Sequence, residues 1–269
     1  MGTGQSKIFF RPREILNKIL NEEIRDWERF DFLYSYGRYE FLLERLSKVD
    51  LMGKKILDVG SGLLHQAVAL SMLGADVFCI DAELKTTSNT SGKKLNYDFN
   101  KRRKLYHLKQ HYIDVQIEKF PYFNNYFDYV IFTEVLEHFW LSPVLALREI
   151  KRVLKYDGVL LLSTPNAISI IHRGCFLLGK NVFPDITKVI NDPIWSFHHK
   201  EYTMYELKKL LNILGFSVIY SHSYDPFLRV FKPDNGSSSL KTKKLLKILS
   251  LCTFFSPTLK QSLYLEARK

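Results

Sequence analysis

The chain has little cysteine: three in 269 residues, Cys79, Cys175 and Cys252, odd in number and far apart. That excludes a disulfide-stapled miniprotein, offers no zinc-type ligand spacing, and suits a reducing compartment such as the cytoplasm. No run of 18 apolar residues occurs, so no segment reads as a transmembrane helix. No secretory leader is expected, because Ile8-Phe9-Phe10 is short and Arg11, Arg13 and Glu14 end it. Internal repeats are absent. Negative charge is scarce: 28 Asp and Glu stand against 39 Lys and Arg, a formal net charge of +11. Such a balance attracts nucleic acid, anionic lipid or phosphorylated substrates, although solvated lysines meet the same count. What is present is ordinary globular composition, 46% hydrophobic and 25% charged, at a length that suits one large domain with an appendage.

Residues 12–50 carry apolar positions at helical spacing (Ile15, Ile19, Leu20; Phe30, Phe32, Leu33; Leu42, Leu43, Leu46), with a break expected at Tyr34-Ser35-Tyr36-Gly37. They read as an N-terminal helical cover over residues 1–50. From Lys55 the texture becomes alternating. Strands are expected at 56–59, 76–81, 106–113, 127–133, 158–163 and 216–220, and an edge strand at 262–267. Helices are expected at 63–73, within 83–104, at 142–154 (Ser142 as N-cap, Pro143 at the first position) and at 206–214. Alternation of this kind predicts crossover units and a parallel sheet covered on both faces. Residues 51–269 thus read as one α/β domain with insertions at about 167–197 and 224–261. The basic cluster Lys101 to Lys104 reads as a solvated helix face.

Asp58-Val-Gly60-Ser61-Gly62 follows a strand and precedes a helix. Glycines there allow a tight turn and close approach of a ligand to the backbone. Asp81 ends the next strand, 21 positions after Gly60, where a carboxylate accepts hydrogen bonds from ribose hydroxyls. The dinucleotide fingerprint needs a glycine three positions after Gly62, and His65 stands there; the Gly-Lys-Ser/Thr of a P-loop is also missing. A nucleoside without phosphates fits better.

Lys55-Ile-Leu-Asp-Val-Gly-Ser-Gly62 resembles motif I of the class I S-adenosylmethionine (SAM)-dependent methyltransferases. The resemblance continues in register at Phe127-Asp-Tyr-Val-Ile-Phe-Thr-Glu-Val-Leu-Glu-His138, Leu147 to Gly158, Leu162-Ser-Thr-Pro-Asn166 and His199-Lys-Glu-Tyr-Thr203. It covers roughly residues 50–223 and the final strand. Within that superfamily the chain resembles the branch that holds quinone-ring O-methyltransferases and methyltransferases of polysaccharide and lipopolysaccharide pathways. Tyr156-Asp157-Gly158 departs from the family's usual Pro-Gly-Gly in a turn. The resemblance implies a Rossmann-like fold, with a seven-stranded, mostly parallel sheet and an antiparallel last strand, and SAM as cofactor. It places Gly60, Ser61 and Gly62 beneath the amino-acid part of SAM and has Asp58 orient that loop or the ammonium. Asp81 would hold the ribose with Ala82 beside it, and Asp114 and Val115 would face adenine. Thr133 and Glu134 would border the methionyl group and the methyl.

An alcohol acceptor gains from a positioned base. His138, His198 and His199 are the candidates for that role. Glu134, Glu137 and His138 are spaced to share one helix face, and with a distal histidine they form a set that would bind a divalent cation. The small-RNA 2′-O-methyltransferases resemble this pattern. The same Glu-Val-Leu-Glu-His string also occurs in metal-independent relatives, where it caps the strand, and the expectation is a reaction without metal. Residues 240–255 mix Lys243, Lys244 and Lys247 with leucines, as a helix at a membrane interface does; a lid helix has the same pattern. The combined expectation is O-methylation of a sugar hydroxyl in glycan or lipid-linked polysaccharide assembly. The setting would be the cytoplasm, at or near the inner face of an anionic membrane, with a small-molecule or glycan acceptor rather than nucleic acid. An RNA methyltransferase and a catalytically silent SAM-binding module are the alternatives.

Overall fold

The computed structural model describes residues 11–26, 28–82, 99–183, 198–226 and 256–269, together with Thr187 and Thr253. Strand β1 (Lys55–Val59) shows how the short apolar runs are used. Ile56 packs toward one face of the sheet, and Leu57 and Val59 toward the other, so both periodic halves of the strand are buried. Strands β2 (Asp76–Asp81), β3 (Lys109–Tyr112), β4 (Phe127–Thr133), β5 (Leu154–Pro165), β6 (Ser217–Tyr224) and β7 (Ser262–Arg268) complete a seven-stranded sheet of order β3-β2-β1-β4-β5-β7-β6. All pairings are parallel except those of β7 with β5 and β6. The strand order reverses between β1 and β4. A crevice at the carboxyl ends of those two strands is where such sheets bind ligands.

Helices α1 (Pro12–Glu22), α2 (Arg29–Leu46) and α3 (His65–Met72) cover one face, with Leu16, Phe32, Leu43 and Val68 in its core. Helix α4 (Phe99–Leu105) precedes β3. Helices α5 (Val144–Val153) and α7 (Met204–Ile213) cover the other face through Leu147, Ile150, Leu207 and Leu211. Helix α6 (Ile170–Leu177) follows β5. Thr203 and Glu206 form a capping box that starts α7, which satisfies backbone amides that would otherwise lack partners.

Several expectations are corrected. The N-terminal break lies between α1 and α2, and Tyr34–Gly37 is inside α2. Gly37 is a packing glycine: a Cβ there would collide with the carbonyl oxygen of Pro226. Pro143, not Ser142, takes the N-cap position of α5, and the Ser142 hydroxyl accepts from the Val144 amide at 3.4 Å. β7 is not an edge strand. Its polar alternate Glu266 faces Arg45 of α2 at 2.7 Å, so a salt bridge on a covered face mimics a solvent face. Arg102 is not solvated. It is buried, reaching the carbonyls of Leu63 (2.6 Å) and Glu23 (2.9 Å) and the buried carboxylate of Glu28 (3.0 Å), which also meets His65 Nε2 at 3.0 Å. This network ties the N-terminal cover to α3 and α4.

Candidate active site

The turn after β1 has the backbone that its glycines permit. Gly60 sits at φ +75° and Gly62 at φ +48°, both in the left-handed region. The Gly60 amide donates to Ile80 O at 2.8 Å, which binds the turn to β2. A Cβ on Gly60 would collide with the Val135 side chain, whereas one on Gly62 would meet nothing within 4 Å. The first glycine is therefore required by packing, and the second leaves one side of the turn open. Asp81 Oδ2 accepts from the Gly62 amide at 2.5 Å and Oδ1 from the Ala82 amide at 2.8 Å. Burial raises the Asp81 pKa against the pull of those two amides.

Behind the turn, Asp58 is buried and accepts from Gln66 Nε2 of α3 at 2.9 Å through Oδ1. Gln66 Oε1 in turn accepts from Thr133 at 3.3 Å. Asp58 Oδ2 has no hydrogen-bond partner among the described residues. Burial, and then the neighbouring charge of Asp81, push the Asp58 carboxyl up to about 7. An unpartnered carboxylate oxygen beside an open glycine turn suits a ligand with a cationic head. A cavity of about 250 Å³ opens here, lined by Asp58, Gly60, Ser61, Gly62, Gln66, Thr133 and Glu134, and roofed by Ser35, Arg38 and Tyr39 of α2.

Glu134, directly after β4, takes φ +55°, uncommon for a residue with a side chain. It is held by its amide to Ser163 O (2.9 Å), by Oε1 to the Ser163 hydroxyl (2.8 Å) and by Oε2 to the Arg38 guanidinium (2.9 Å). Arg38 and Glu134 also line a second cavity of about 450 Å³, with Glu137, His138, His172, His198 and Glu201. Glu137 is buried. Its Oε2 accepts from Thr164 at 2.9 Å, and burial followed by the nearby Glu134 raises its pKa well above the carboxylate range. The rings of His138 and His198 lie 5.0 Å apart, and His198 Nδ1 is 2.8 Å from Glu201 Oε1.

Most of the expected residues come together. Asp58, Gly60, Ser61, Gly62, Thr133 and Glu134 line the first cavity, with Asp81 and Ala82 hydrogen-bonded at the turn. His138 and His198 face the second. The structure does not bring Asp114 and Val115 to either cavity: Asp114 Oδ1 accepts from the Gln116 amide at 2.9 Å within its own turn, and Val115 belongs to the core. His199 lines neither; its amide donates to Glu137 O at 2.7 Å. Sequence reasoning missed Arg38, Gln66 and Ser163. The available signal for Arg38 was a lone cation amid the aromatic stretch Phe30 to Phe41.

Residues 57–162 match the family model of a methyltransferase domain. A protein of Mycolicibacterium smegmatis described as a "Probable S-adenosylmethionine-dependent methyltransferase" is 25% identical over 185 residues, 69% of this chain; the match spans 60% of that relative's length. Among solved structures, a SAM-dependent methyltransferase from Archaeoglobus fulgidus superposes with a TM-score of 0.53 at 17% identity, covering 89% of this chain and 99% of that one. The [4+2]-cyclase SpnF superposes at 0.52 with 20% identity, covering 87% and 81%. These likenesses establish the fold. The site fits SAM on its own terms: an open glycine turn for close approach, Asp81 with acceptor lone pairs for a ribose, and an unpartnered Asp58 oxygen near the place of an ammonium. Residues 57–162 thus carry the match to a methyltransferase domain, set in the sheet order of a Rossmann-like fold, and in both respects the chain resembles SAM-dependent methyltransferases.

Proposed function

We propose that the chain is an enzyme that moves the methyl group of SAM onto a sugar hydroxyl during glycan or lipid-linked polysaccharide assembly. The observation that carries this reading is the sharing of Arg38 and Glu134 by the two cavities, so that the cofactor cavity adjoins a polar chamber with three imidazoles, those of His138, His172 and His198. SAM supplies an electrophilic methyl on a sulfonium. The chain's own residues do the rest. The glycine turn and Asp81 bind the nucleoside, and Asp58 takes the ammonium. Glu134, fixed by Arg38 and Ser163, borders the point of transfer. Alignment of the reacting atoms contributes most of what the protein must supply, and a group that accepts the hydroxyl proton supplies the remainder. His198 is oriented for that by Glu201, and His138 stands across from it. A chamber of about 450 Å³ is in the range that takes a small ligand.

The membrane part of the proposal concerns residues 240–255, which apart from Thr253 lie outside the described residues. Among the described residues no helix is long and apolar enough to cross a membrane. The assignment of residues 1–50 as a cover and 51–269 as the catalytic domain belongs to the same proposal, as do the adenine contacts of Asp114 and Val115 and a part for His199.

The test is methyl transfer from labelled SAM to a panel of nucleotide sugars, polyprenyl-linked glycans, quinols and short RNAs. Label in a glycan, stable to mild base, is expected. Label confined to RNA or quinol would overturn the acceptor. SAM binding without transfer to any of them would favour the silent module, a real alternative in a fold that also carries a [4+2]-cyclase.

A further inference from the structure

Glu137, His138 and His198 each offer one ligand atom, and these atoms lie within 4.8 Å of one another. We propose that they form a divalent-cation site, of the transition-metal type that two imidazoles and one carboxylate select, on the acceptor side of Glu134. In assigning the ion a part in holding acceptor oxygens, this rests on the methyltransferase reading above; the binding of the ion does not.

Glu137 supplies the first argument. Its side chain is 1% exposed, yet only Oε2 is satisfied, by Thr164; Oε1 has no hydrogen-bond partner among the described residues. The guanidinium of Arg38, which lines the same cavity, is engaged by Glu134 at 2.9 Å. A buried carboxylate oxygen with neither donor nor counter-ion is costly, and buried charges are paired or bind metal. A cation between Oε1 and the two imidazoles removes the cost.

The histidines supply the second. A metal-ligating imidazole almost always gives its other ring N–H to a carboxylate, which fixes the tautomer. His198 has that arrangement: Nδ1 lies 2.8 Å from Glu201 Oε1, leaving Nε2 to ligate. The backbone holds the two ligand segments together, since the amides of His199 and Lys200 both donate to Glu137 O, at 2.7 and 3.3 Å. Metal bonds of about 2.0–2.2 Å put ligand atoms about 3.4 Å apart in a tetrahedron, so a set whose atoms lie within 4.8 Å must close by up to about 1.4 Å, within side-chain adjustment. Glu134, grouped with these residues by sequence spacing, is turned away to Arg38 and Ser163. Three protein ligands leave positions open, and two neighbouring hydroxyl oxygens of a sugar suit them. An ion there would lower the pKa of a bound hydroxyl and so take over the activation assigned above to His198.

The experiment titrates the whole chelator-treated chain with Co²⁺ alone, followed by visible absorption and calorimetry. One Co²⁺ per chain is expected, with ligand-field bands. His138→Ala and His198→Ala should each weaken binding by about 100-fold or more, and Glu201→Gln by about 10–100-fold, because Glu201 orients His198 and is not itself a ligand. SAM affinity in these variants, measured separately, should stay within about twofold of the parent, which shows that they are folded. Absence of stoichiometric Co²⁺ in the parent, or parent-like Co²⁺ affinity in both folded histidine variants, would overturn the site. Failure of the parent to bind SAM would instead count against the methyltransferase reading and leave the Co²⁺ result standing.

Discussion

The proposed cofactor side of the site and the proposed acceptor side are built differently. The first is mostly backbone: two strand ends, a turn of glycines at positive φ, and amides of Gly62 and Ala82 on one carboxylate. The second is mostly side chains, drawn from α2 (Arg38), the turn after β4 (Glu134, Glu137, His138), the start of α6 (His172) and residues 198–201. Backbone sites tolerate little change at a few positions. Side-chain sites spread their contributions, so single substitutions there should cost less and alter specificity more.

The sharpest contrast should come from Gly60→Ala. Positive φ and collision with Val135 act together, and loss of SAM binding by about 100-fold or more in calorimetry is expected, with a lower melting temperature. Wild-type affinity in that variant would remove the turn from the cofactor site. Next comes Asp81→Ala. Loss of hydrogen bonds to a charged acceptor, about 1.5–3 kcal/mol, should weaken SAM by about 10–100-fold. Arg38→Ala, on the acceptor side, frees Glu134 and should lower kcat more than SAM affinity, by about tenfold; an effect on affinity alone would assign Arg38 to the cofactor.

A pH series sharpens the comparison further. Asp58 is raised to about 7 in the free protein, so near pH 6 it is protonated, and a cationic ligand must displace that proton. SAM affinity should therefore rise with pH through about 7, and this slope should flatten in Asp58→Asn. The folded state binds this proton more tightly than the unfolded chain does, so the contribution of Asp58 to stability falls as pH climbs from about 4 to 7. Asp58→Asn should consequently melt above the parent at pH 8 and close to it at pH 4. The smallest effect concerns association with vesicles: replacing Lys243, Lys244 and Lys247 with glutamate should abolish weak, salt-sensitive co-sedimentation with anionic lipid, each lysine contributing about 1 kcal/mol. A parent that fails to sediment at low salt would end the membrane proposal.

The same division explains what was legible in the sequence. β2 and β4 match their expected limits, and Gly60, Gly62 and Asp81 meet as read, because strand periodicity and glycine turns are local properties. Arg38 showed only as a lone cation among aromatics, and its partner was not legible. Its place depends on α2 crossing over the sheet 96 positions before Glu134, and no local pattern encodes that distance. Glu266 misled for a similar reason: a charged residue paired across a helix–sheet contact has the same sequence signature as one facing water. Tyr34–Gly37 misled because a glycine that admits a neighbouring carbonyl looks like one that stops a helix.

The placing of β7 between β5 and β6 also bears on how the protein is made. During synthesis β5 and β6 emerge before the strand that joins them, and the 37 residues between Tyr224 and Ser262 must still be added. At about 5–20 residues per second the ribosome takes roughly 2–7 s over that stretch. Through that interval both strand edges stand open to any extended chain nearby, the condition under which unpaired edges recruit wrong partners. The nascent protein is thus exposed to aggregation during this interval, after its glycine turn has already been made, and a chaperone would have much to protect at this gap.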